Sequence, residues 1–194
     1  MVHILGVPIT DRHRFVLLRS YGSNRQIMKV SVTFLLHLVG FGVLCATLLA
    51  GFIIDRKFRG QTDYSLKLYT SQIARSVGLL SPVAAILLLA TGIGNIHNRY
   101  LGSALSWFDE GWLVAKIILF VVLVLNGMIY GPRLTRNRTK LVKGLSEQTA
   151  PANAEELIRS YNTQITLFYL VQTVLLLLVL VLSVLGTGKH PGVI

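Results

Sequence analysis

Four apolar blocks, each about as long as a bilayer's hydrocarbon is thick, dominate this chain: residues 30–54, 76–94, 111–131 and 165–186. A helix rising about 1.5 Å per residue needs roughly 20 residues to cross about 30 Å of hydrocarbon. The blocks are apolar all round rather than striped, so each needs lipid or a large core on every side. A chain of 194 residues cannot supply such a core for four helices at once. In lipid every backbone polar group must be satisfied within its own segment, so the blocks are read as helices despite the Val-rich runs at 121–124 and 179–184. The fold class expected is all-α, an integral membrane four-helix bundle over residues 30–186. A basic extension (1–29) precedes it and a short tail (187–194) follows.

Composition agrees with this reading. Charged residues make up 14% of the chain, against roughly 25% in a soluble domain, and nearly all of them fall between the blocks. The net charge of +11 raises the question of nucleic acid. The basic residues, however, lie in separate segments without interleaved aromatics, as in loops that meet anionic headgroups. No nucleic-acid partner is expected; the lipid bilayer is. Cys45, the single cysteine, lies inside the first block and reads as a small core residue, with no disulfide or CxxC motif. The stretch 2–9 holds His3 and Pro8 and runs straight into Asp11-Arg12-His13-Arg14, the wrong order for a cleavable signal.

The connections differ in charge. Residues 55–75 hold five basic residues and 132–164 hold six, whereas 95–110 hold Arg99 alone against Asp109 and Glu110. Alternation places eleven basic residues on the side of the first and third connections and seven on the other, five of those in the N-terminal segment. The positive-inside rule then predicts cytoplasmic first and third connections and both termini outside. The 14–19 segment reads as an interfacial stretch or, more simply, as part of a loosely ordered tail. Pro82 predicts a kink or unwinding in the second span. In the third connection, Leu134, Leu141, Val142 and Leu145 continue the third helix outward. Pro151 and Asn153-Ala-Glu-Glu mark a helix start with acids in the first turn. Leu157, Ile158, Tyr161 and Ile165 then keep one apolar face into the fourth span, so helices three and four are expected to form a long projecting hairpin.

Polar side chains within a span are the pointers to function. His37, Lys116, His97 and Trp112 share one leaflet whichever way the chain points. Lys116, one turn after Trp112, either snorkels to the headgroups or faces inward. His97 is a loop histidine or part of a site. His37 either satisfies itself with a carbonyl or hydroxyl of a neighbouring helix, or is a metal or haem ligand or a proton-handling group. Gly42, Ala46 and Ala50 form a small-residue stripe for close helix approach, opposite the face of His37, Phe41, Leu44 and Leu48. That separation leaves room for a bulky ligand at His37. Asn126 and Gln172 are expected to make interhelical hydrogen bonds.

His37, then Arg75, Gly78, Ser81, Pro82 and Gly92, then Trp112 and Lys116 follow one order. A histidine early in helix one precedes an arginine and Gly-x-x-Ser-Pro at helix two, and Trp-x-x-x-Lys opens helix three. Over residues 30–185 this resembles the small bacterial membrane proteins of the haem-containing, flavin-free protoporphyrinogen oxidase type and their copper-resistance D-like relatives. The resemblance implies the inner (plasma) membrane and a haem b site with His37 as iron ligand. Lys116 would meet a propionate, and His97 lies nearby. The chain departs from the oxidase pattern where Val114 and Asn126 stand in place of histidines, and where Ile-Ile-Asp-Arg-Lys replaces a Leu-Pro-Arg run. Three functions stay open. The first is a non-enzymatic membrane module, as a subunit of a larger complex, a homo-oligomer or a relative that keeps the fold. The second is a haem b-binding redox protein. The third is a copper or small-solute permease, for which Met28 and Met128 form no Met/His cluster.

Overall fold

The computed structural model describes residues 10–100 and 107–187, and within them the side chains of 32–100 and 107–186. Six α-helices form the four expected spans. Helix α1 is Thr10–Gly60; α2, Tyr64–Gly78, and α3, Leu80–Tyr100, together make the second. Helix α4, Gly111–Leu125, runs through a π-helical turn, Asn126–Tyr130, into α5, Gly131–Ser146, and α6 is Ala154–Thr187. No strand occurs among the described residues.

The helices outrun their apolar blocks, and two expectations need correcting. The basic segment 55–75 is not an open connection: α1 continues to Gly60 and α2 begins at Tyr64, so the turn is only residues 61–63. Asp63 caps α2, and the Ser65 N–H and hydroxyl hold its carboxyl below the usual carboxylate range. The N-terminal segment is not a loosely ordered tail from Thr10 onward but part of the 51-residue α1. Residues 1–9 and 188–194 lie outside the described residues.

Both breaks inside the spans trace to proline. Pro82 has no N–H for the carbonyl of Gly78, where α2 ends; Leu79 turns there, its N–H reaching Arg75 and Ser76 O at 3.2 and 3.3 Å. Pro82 thus interrupts the second span at Leu79, whose backbone stays in the helical region. In the third span Pro132 cannot bond to the carbonyl of Met128. The chain answers with the π turn, in which Gly131 N–H bonds to Asn126 O, five residues back.

Helix α1 packs mainly on α3, and α4 on α6; α2–α5 and the middle of α1–α6 join these two pairs. The membrane core is Leu44, Ala84, Leu88, Leu123 and Leu176. The exposed apolar surface meets its first exposed charge at Arg56, Arg75, Arg133 and Arg159, although α2 keeps Leu66, Tyr69 and Ile73 exposed beyond Arg75. These four transitions mark one face of the hydrocarbon. Beyond it a second core of Phe58, Val142 and Ile158, flanked by Tyr64, Leu68, Leu141 and Leu145, closes a projecting cap. The long α5–α6 hairpin is therefore present, with Glu155 and Glu156 in the first turn of α6 as expected.

Candidate functional site

On the other side of the membrane core, His37 stands in the α1–α3 contact. Its Nδ1 lies 2.8 Å from Thr91 Oγ1, and the Thr91 hydroxyl is 2.6 Å from the carbonyl of Leu87. A hydroxyl has one proton to give. With that proton on Leu87 O, Thr91 accepts from His37, so Nδ1 carries the imidazole proton and Nε2 keeps its lone pair. Gly40 lets the helices approach here: a Cβ on it would lie 3.2 Å from Leu88 Cγ, whereas one on Gly92 would meet His37 Cε1 at an ordinary 3.6 Å.

This overturns the expected division of α1 into a tight face and a histidine face. The Gly42-Ala46-Ala50 stripe is not the close contact: Gly42 and Ala46 are exposed, and a Cβ on Gly42 would meet nothing within 4 Å. The close contact is made by Gly40 and by His37 itself. The room for a bulky ligand inferred from that division has no such basis. Periodicity missed it because His37 is polar enough to read as a separate face, whereas its ring packs as a flat group between α1 and α3.

Lys116 is half-buried on α4, near enough to His37 to interact electrostatically, and has no hydrogen-bond or ion-pair partner among the described residues. Trp112, one turn earlier, lies flat against Gly186, donates Nε1–H to Glu110, and has the Arg99 guanidinium over its ring at 5.5 Å. It closes α3, α4 and α6 at this end. His97 is exposed on α3 and has no hydrogen bond or ion pair to His37 or Lys116. The structure therefore brings His37 and Lys116 into one neighbourhood, with Thr91 added, and leaves His97 outside it. No group of three or more His, Cys, Asp or Glu side chains fit to hold a metal ion occurs among the described residues.

About one turn inside the face marked by Tyr130, Asn126 Nδ2 donates to Gln172 Oε1 at 2.8 Å, and Gln172 Nε2 donates to Leu123 O at 2.9 Å, so the expected interhelical pair forms.

A second polar cluster lies just past the opposite face of the hydrocarbon and was not read from the sequence. Arg138 of α5, about 5% exposed, donates to Asp55 Oδ1 at 2.6 Å and to Asn162 Oδ1 at 2.8 Å. Arg59 donates to Asp55 Oδ2 and to the Asn162 carbonyl, each at 2.6 Å. The Arg138 guanidinium stacks on Phe58 at 3.8 Å. Tyr169 lies within electrostatic range of all three charges, and its hydroxyl fills the space a Gly51 side chain would take. Arg138 Nε has no hydrogen-bond partner among the described residues. Arg138 borders a small pocket of about 10 Å³, lined also by Thr70, Ser71 and Thr135, the room for roughly one water. The network ties α1, α5 and α6 together. The available signal was Asp55, the one acid between residues 12 and 62, four residues before Arg59. No protein-family model, curated protein or solved structure matches the chain.

Proposed function

We propose that this chain is an integral membrane module with His37 as its functional side chain, haem b, approaching from the exposed side of the half-buried imidazole rather than between α1 and α3, being the cofactor whose chemistry suits the residues best. The observation that carries the reading is the Thr91 hydroxyl, which fixes the imidazole with Nε2 unprotonated, the arrangement that metal-bound histidines share. Lys116, with no acid to pair with, supplies the cation a propionate requires. The donor set fits haem through one imidazole and one ammonium; His97, exposed on α3, is no second ligand in this arrangement. When bound, the group would supply one-electron chemistry. The chain's own part is to orient the imidazole, place a positive charge beside it and exclude water. The test is the visible spectrum of protein purified from haem-supplied cells. A Soret band lost in His37→Ala and weakened in Thr91→Val is expected, and a colourless folded parent refutes the reading.

A different observation favours a second reading, a subunit of a larger membrane assembly or a homo-oligomer. Gly42 and Ala46 face outward with open space before them, a surface suited to another transmembrane helix. Blue-native electrophoresis of the parent beside Gly42→Leu tests it, and a parent migrating only as one chain in mild detergent refutes it. In either reading we place the protein in the inner (plasma) membrane. The α5–α6 cap then lies in the cytoplasm and both termini outside, as the basic residues of α1, α2 and α5 favour.

A further inference from the structure

The span from Gly111 to Ser146 contains no acidic residue, and its exposed basic side chains begin where its exposed apolar ones end. Met128 and Ile129 are about half exposed, and Tyr130 marks the boundary; Arg133 and Arg136 follow within two turns, both exposed. Neither arginine is paired with an acid among the described residues. Arg138, two residues on, belongs to Asp55 and Asn162, so α5 carries its arginines on two faces with different uses. Met128, Ile129, Pro132, Arg133 and Arg136 line one shallow, open cleft on the outer face of this span, across the π turn and the start of α5.

We propose that this cleft binds one anionic phospholipid, its phosphate on Arg133 and Arg136 and an acyl chain along Met128 and Ile129. The chemistry is two-part. Guanidinium forks match phosphate oxygens in pairs, which favours arginine over lysine at such a position. The arginine stems and the apolar wall below them lie at the depth where headgroup meets hydrocarbon. A free phosphate would leave that wall unused, and a zwitterionic lipid brings its own cation into competition with the two arginines. The site is separate from His37, which lies at the other face of the membrane.

The experiment uses the full chain in mild detergent, titrated with phosphatidylglycerol or phosphatidylcholine and read by native mass spectrometry, with a thermal melt as a check on folding. About thirtyfold tighter binding of phosphatidylglycerol is expected, from two basic groups near the surface. Arg133→Gln/Arg136→Gln is expected to reduce the preference to within about twofold while melting like the parent. Lys57→Gln/Lys140→Gln removes the same charge from exposed positions outside the cleft and is expected to keep the preference. Equal loss in both double variants overturns the proposal, because a diffuse surface field then explains the binding. So does retention of the preference in the arginine variant, or displacement of phosphatidylglycerol by millimolar inorganic phosphate. Should the arginine variant fail to fold, Ile129→Ser decides: it leaves both charges in place and is expected to weaken phosphatidylglycerol several-fold, and unchanged binding overturns the proposal.

Discussion

Removing the Asp55 carboxylate tests the buried network most sharply. Asp55→Ala leaves the Arg138 guanidinium, about 5% exposed, with Asn162 and the Phe58 ring but no counter-charge. It also leaves Arg59 close by with nothing to neutralise it. Breaking a buried pair by deleting one partner costs about 3–5 kcal/mol, roughly two to three and a half orders of magnitude in the unfolding equilibrium. The reverse deletion is milder. In Arg138→Met, Asp55 keeps Arg59, whose side chain is 31% exposed, so about 1.5–3 kcal/mol is expected, the worth of hydrogen bonds to a charged group. Arg59→Met, at the rim, should cost under about 1 kcal/mol. Asp55→Leu/Arg138→Met removes both buried charges and should be less damaging than Asp55→Ala alone, since an apolar replacement of a buried pair is often neutral. The assay is reversible unfolding in mixed micelles with increasing dodecyl sulfate, followed by circular dichroism. An Asp55→Ala variant within about 1 kcal/mol of the parent, or a double variant worse than Asp55→Ala, would refute the claim that this network joins the helices.

Three further outcomes follow from the packing. Gly186→Ala drives a methyl into the face of the Trp112 ring and should cost about 1–3 kcal/mol and shift tryptophan fluorescence, whereas Gly42→Ala, with nothing within 4 Å, should be neutral in the same melt. Asn126→Leu removes one side of the Asn126–Gln172 pair and should cost about 0.5–2 kcal/mol; no change would show that Gln172 bonds equally well elsewhere. In a Cys45→Ser background, Thr62→Cys and Lys140→Cys should be shielded from an impermeant thiol reagent in intact cells and Phe108→Cys labelled, and the opposite pattern would reverse the orientation.

The four spans, the helical state and the projecting hairpin were legible because lipid leaves the backbone a single economical solution and because apolar periodicity persists through Leu134, Val142, Ile158 and Ile165. Pro82 announced its own break, since a missing N–H is a local fact. The short turn at 61–63 was hidden because charge density in 55–75 imitates a loop; in the fold Arg56, Lys57 and Arg75 ride on the outer faces of α1 and α2 while Asp55, Phe58 and Thr70 turn inward. Depth along a helix set His37 and Lys116 in the same leaflet, since rise per residue is fixed. Which side chain His37 meets was beyond the sequence: Thr91 lies 54 positions away, and only the register of α1 against α3 brings them to 2.8 Å. The same holds for Asp55 and Arg138, separated by 83 positions and read as two solvated charges. Composition fixes how many charges a chain carries and roughly where they enter the membrane. Whether a charge is solvated or buried against its opposite depends on the rotation of one helix about its axis relative to the next, and packing alone sets that angle.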